Sequence, residues 1–194
     1  MNTSAQANHP VVRVAITGCG AISEAHLRAI REAAPGVVTV AGLYDRDPAR
    51  AAAKAQQHGI ARVYRAWAEV LDDRAVDVVA VLLPHDQHCQ VAIEALDAGH
   101  HVVVEKPMAP TVAECRQMLA AAGRAQRRIV PVHNRVYDPA SEVARELVES
   151  GAIGEVFLAQ TVGLEPPRTV SDRPWLGTPA GGGGVLMAQA VHPA

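Results

Sequence analysis

Short apolar runs alternate with amphipathic, alanine-rich segments along most of this 194-residue chain, and that alternation leaves few ways to fold. Val11–Thr17 and Val37–Leu43 read as buried strands, and the segment between them carries Ile22, Leu27 and Ile30 on one shared helical face. Pro48 suits a helix start, Ala49–His58 continues it, and Gly59 closes it. A short strand is expected near Arg62–Tyr64 and a short helix near Trp67–Leu71. Val76–Leu83 is a continuous apolar run, as in a strand covered on both faces. Gln87–Ala98 then reads as a helix, His101–Glu105 as a strand, Val112–Arg124 as a helix and Ile129–His133 as a sixth strand. Such alternation predicts an α/β fold, a doubly wound parallel sheet whose ligands bind at the carboxyl ends of the strands.

The residues at those ends are polar and specific. After the first strand comes Gly18-Cys19-Gly20-Ala21-Ile22-Ser23. Gly18 allows a tight turn, Gly20 lets backbone approach a pyrophosphate, and the amides at Ala21 and Ile22 open a helix whose start attracts negative charge. Ser23 occupies the third glycine position, where a small residue still permits close packing. The second strand ends at Asp45, at the distance expected for a carboxylate that binds an adenosine ribose hydroxyl. Asp45 repels a 2′-phosphate whereas Arg46 and Arg50 attract one, so NAD is favoured over NADP, with NADP kept open. Asp45-Arg46-Asp47-Pro48 also reads as a solvated turn capping the next helix.

The remaining strand ends carry Pro84-His85-Asp86-Gln87-His88, Glu105-Lys106-Pro107 and His133-Asn134-Arg135. Together with Asp138-Pro139, Ile153-Gly154-Glu155-Val156 and the glycine run leading to His192, this ordered set resembles the Gfo/Idh/MocA family of NAD(P)-dependent oxidoreductases over Val11–His192. The resemblance implies a Rossmann domain at 11–134 after a disordered tail at 1–10. The start of an incomplete α+β substrate and oligomerisation domain follows at 135–194. It implies catalytic roles for Lys106 and His192, and cofactor contacts from Gly18, Gly20, Ala21, Ile22, Asp45, Arg46, Pro84, His85, His88, Glu105, Lys106 and Asn134. It also implies a cis Lys106–Pro107 bond. His85 stands where the family usually has asparagine, and Ala188 stands where an acid commonly precedes the histidine by four residues.

The activity so implied is hydride transfer between a nicotinamide cofactor and a secondary alcohol of a sugar, cyclitol or related polyol. Two alternatives stay open: an NAD-dependent glycoside hydrolase or lyase on the same scaffold, and a non-catalytic nucleotide-binding protein. The partner is a small molecule, with a homo-oligomer expected where the second domain is complete. Gly154–Gly163 alone reads as a strand of that domain, so the chain is expected to be a fragment, a truncated reading frame, or a compact member completed by a partner subunit.

Composition fits this picture. A hydrophobic content of 49% supplies a packed core, and a net charge of −2 with scattered Lys and Arg points away from nucleic acid and membranes. The polar start, the absence of a long apolar run, and three cysteines without metal-like spacing suit a cytoplasmic protein with reduced thiols and no metal site. Cys19 reads as a small packed residue.

Overall fold

The computed structural model of the protein describes residues 11–33 and 35–160, together with Val162 and Thr178. A five-stranded sheet forms the centre: β1 (Val12–Thr17), β2 (Val38–Tyr44), β3 (Val78–Val81), β4 (His101–Val104) and β5 (Ile129–Pro131). The spatial order is β2-β1-β3-β4-β5 and every pair is parallel. Between them run α1 (Ala21–Ala33), α2 (Pro48–His58), α3 (Trp67–Asp72), α4 (His88–Asp97) and α5 (Val112–Ala125), with α6 (Pro139–Glu149) beyond the sheet.

The strand expected near Arg62–Tyr64 is not one. Val63 makes a single parallel bridge to Leu43, framed by Leu43 N–H to the Arg62 carbonyl at 3.1 Å and Tyr64 N–H to the Leu43 carbonyl at 2.9 Å. The chain leaves the edge at once because Tyr64 turns into the core, 2% exposed, and its hydroxyl donates to Asp73 at 2.8 Å. Counting that bridge as a vestigial third strand recovers the dinucleotide-binding order 3-2-1-4-5-6.

Local chemistry explains the helix limits. Asp47 caps α2 by accepting from the amides of Ala49 at 3.0 Å and Arg50 at 3.4 Å, and Gly59 ends it at φ 66°. Thr111 and Glu114 form a reciprocal capping box on α5. Burial then locks the layers together. Leu27, Leu43, Ala51 and Ala55 fill one face of the sheet beneath α1 and α2, while Val79, Val102, Leu96 and Met118 fill the other beneath α4 and α5.

After β5 the packing changes. No residue of α6 is buried, and Val143, Leu147 and Val148 face outward. The strand expected at Gly154–Gly163 does not form over residues 154–160, which hold no strand pairing and are all exposed, Phe157 at 96%. An extended segment becomes a strand only when a neighbour answers its backbone groups, and no neighbour is present among the described residues. The expected tail at 1–10, and Trp175, Ala188 and His192, lie outside the described residues. Among the described residues, no helix is long and apolar enough to cross a membrane, and no group of three or more His, Cys, Asp or Glu could hold a metal ion.

Candidate functional site

The chain turns to opposite sides of the sheet after β1 and β3, so a crevice opens where their carboxyl ends lie side by side. The glycine loop sits in it, held by both neighbours. Gly18 N–H donates to the Tyr44 carbonyl at 2.9 Å, and Leu82 N–H donates to the Thr17 carbonyl at 2.9 Å. Gly18 has φ 93°, and a Cβ there would collide with the Leu82 carbonyl oxygen, so the loop needs glycine on two counts. Gly20, in contrast, faces open space. Ser23 is fully buried and its hydroxyl donates to the Gly20 carbonyl at 2.6 Å, which closes the loop onto the first turn of α1.

A cavity of about 940 Å³ opens above this loop, lined by Gly18, Gly20, Ala21, Ile22, Asp45, Arg46 and Pro84 among others. Seven residues expected as cofactor contacts therefore share one space. Asp45 is its anchored carboxylate. One oxygen accepts from Cys19 N–H at 2.8 Å, the other from Asp47 N–H at 2.9 Å, and the Arg50 guanidinium lies 3.5 Å away. Cys19 itself packs inward at 2% exposure. Burial, reinforced by the Asp45 charge, pushes its thiol up to about 11, so it stays protonated at neutral pH. Lys54 also lines the cavity and pairs with Glu24 of α1 at 3.0 Å, a contact that composition and spacing did not single out.

Glu105, Lys106, His85, His88 and Asn134 are not on that cavity wall. Asn134 is exposed in a short 3-10 turn, Asn134–Tyr137. The others cluster at the ends of β3 and β4. His85 is buried with its ring edge-on to His88 at 5.7 Å. His88 lies beneath the loops, with Nδ1 2.9 Å from the Pro107 carbonyl and Nε2 2.9 Å from the Leu83 carbonyl. Both ring nitrogens face backbone carbonyls, so this imidazole is packed between two loops and, when neutral, donates to one of them. Its burial disfavours the charged form and lowers its pKa. The Lys106–Pro107 bond is cis, and Lys106 is half-buried.

One residue of the cluster escaped the reading of strand ends. His26 of α1 places Nε2 2.9 Å from a Glu105 oxygen, across 79 positions of sequence. Burial pushes the Glu105 carboxyl up, but the hydrogen bond and charge of His26, with the Lys106 amide and ammonium, outweigh it and hold the group below its usual range. The available signal was helical: His26 follows Ser23 by three residues and precedes Leu27, on the buried stripe of α1, where a titratable side chain needs a partner.

Residues 12–133 match the family described as "Oxidoreductase family, NAD-binding Rossmann fold", and residues 142–194 match "GFO/IDH/MocA C-terminal domain". An uncharacterized oxidoreductase, ORF334, of Rhizobium meliloti is 34% identical over 187 residues, covering 94% of this chain and 54% of its own. Inositol 2-dehydrogenase of Salmonella typhimurium is 32% identical over 149 residues, covering 76% of this chain and 44% of its own. The WlbA dehydrogenase from Chromobacterium violaceum, solved with NADH and UDP-GlcNAcA, superposes with a TM-score of 0.71 at 26% identity, covering 76% of this chain and 42% of that one. The chain spans about half the length of the curated relatives it matches.

Proposed function

Because the chain belongs to the Gfo/Idh/MocA oxidoreductase family, we propose that it is an NAD-dependent dehydrogenase acting on a secondary alcohol of a sugar, cyclitol or related polyol. The observation that carries the cofactor reading is the cavity over Gly18–Ile22 with the anchored Asp45 carboxylate on its wall. Its donor set suits a dinucleotide. Open space at Gly20 admits a pyrophosphate against backbone, and the start of α1 supplies amide donors and a favourable dipole. Asp45 suits a ribose diol and disfavours a 2′-phosphate, while Arg50, already engaged with that carboxylate, offers less to such a phosphate than an unpaired guanidinium would.

Bound nicotinamide would supply the hydride acceptor. In its neutral amine form Lys106 takes the hydroxyl proton as the carbonyl forms and becomes the ammonium, a role suited to a lysine partly withdrawn from water. Glu105, ionised and gripped by His26, keeps that lysine's backbone in place. His192 is the second proton-handling group by resemblance, with Ala188 leaving it without the acid that often sits beside it. The polyol reading is supported by relatives that act on inositol or were solved with a sugar nucleotide.

The test is calorimetric titration of the purified chain with NAD⁺ and NADP⁺, then a sugar and cyclitol panel followed by reduced-nicotinamide absorbance. Tighter binding of NAD⁺ and turnover of at least one polyol are expected. Failure to bind either nucleotide overturns the reading, and binding without turnover leaves a nucleotide-binding protein.

A further inference from the structure

We propose that His26 is a positioning residue for Lys106, acting through the Glu105 carboxylate. The inference rests on Lys106 being the proton-handling group. Glu105 N–H donates to the Val81 carbonyl at 3.0 Å, which keeps Glu105 in line with β3. On the far side of Lys106, the Pro107 carbonyl lies 2.9 Å from the ring of His88, a side chain with 0% exposure on α4. Both flanks of the lysine are thus fixed by buried groups.

The Lys106 amide lies between them. It donates to the Oε2 of Glu105 at 3.1 Å, so its partner is the side chain of its own neighbour, which rotates freely unless something else holds it. His26 supplies that hold. It donates from Nε2 to the other oxygen of the same carboxylate at 2.9 Å, and the carboxylate is buried at 8% exposure. Because α1 begins at the glycine loop, the contact links the cofactor cradle to the lysine without passing through either strand. Without His26, the carboxylate loses the bond that fixes its other oxygen while Oε2 lies under the Lys106 amide.

The sequence makes this measurable. The chain contains two lysines, Lys54 and Lys106, so ¹⁵N-lysine labelling yields two backbone amide resonances. Lys54, on α2, is the internal control, since its ammonium pairs at 3.0 Å with Glu24, which shares α1 with His26. In H26A the Lys106 amide is expected to shift and to exchange with solvent about tenfold faster or more, as for loss of one charge-assisted bond, with Lys54 unchanged. H26Q, which keeps a nitrogen donor, restores the slow exchange, and H26F, which fills the space without a donor, does not. Should H26A fail to fold, H26F against H26Q makes the same comparison. Unchanged Lys106 exchange, equal acceleration at Lys54, or failure of H26Q to restore it overturns the proposal. Calorimetric titration of the same proteins with NAD⁺ reports separately on the functional reading: absence of nucleotide binding sinks that reading while the His26 comparison still stands.

Discussion

The backbone amide of Cys19 donates to the carboxylate of Asp45 at 2.8 Å, tying the glycine loop to the acid that ends the neighbouring strand. Asp45 therefore has two tasks, shaping the loop and facing the cavity. Asp45→Asn keeps one acceptor oxygen and removes the charge. Loss of a charged hydrogen bond is worth about 1.5–3 kcal/mol, so NAD⁺ affinity is expected to fall roughly tenfold or more, with preference moving toward NADP⁺. Calorimetry with both nucleotides checks it, and an unchanged ratio of affinities removes Asp45 from the role of discriminator.

Gly18 and Gly20 separate folding from binding. Gly18→Ala places a methyl group against the Leu82 carbonyl in a left-handed conformation and is expected to cost about 2 kcal/mol or more, read as a lower urea midpoint. Gly20→Ala meets nothing within 4 Å, so the fold tolerates it while nucleotide affinity drops. Equal stability of the two variants contradicts this division.

Glu105 predicts a pH dependence of stability. Its carboxyl binds a proton less readily in the folded chain than at the ordinary value of 4.5, so the unfolded chain takes up the proton first as pH falls. The stabilisation is present above pH 4.5 and is lost as pH falls through the lower folded value. Glu105→Gln is expected to be less stable at neutral pH and to lose less on acidification. Parallel acid-stability curves for the two proteins would discount the His26 contact.

Lys106→Ala is expected to abolish polyol turnover while NAD⁺ affinity stays within a few-fold, because the lysine is not on the cavity wall around the glycine loop. Absorbance assays and calorimetry on one preparation decide it. A fully active variant removes Lys106 from proton transfer.

Met118 tests the core under α5. It is 0% exposed, and Met118→Ala is expected to cost about 2–5 kcal/mol in thermal or urea unfolding, with nucleotide affinity unchanged in the folded fraction. A loss below about 1 kcal/mol would mean that the site collapses around the vacancy.

Much of the fold was legible because its signals are local. Apolar runs marked β1 to β5, Asp47 with Pro48 and Gly59 marked the ends of α2, and the segment from Val112 marked α5. The glycine loop and Asp45 were legible for the same reason, since each belongs to a short segment whose chemistry repeats wherever a dinucleotide is held. Arg62–Tyr64 misled because strand-like residues satisfy the pattern whether or not the edge continues, and the burial of Tyr64 ended it after one bridge. Residues 154–160 misled for a related reason: their alternation needs a neighbouring strand that the described residues do not contain.

The sequence by itself determined which segments become helices and strands and which titratable residues stand at the strand ends. Periodicity, caps and turns act over a few residues, so they can be read along the chain. Only the tertiary structure decided that His88 would lie under the loops with both nitrogens on backbone, and that His26 would meet Glu105. Those pairings depend on the order and register of strands and on the rotation of α1 over the sheet. They bring together groups dozens of positions apart, where no local pattern records the partner.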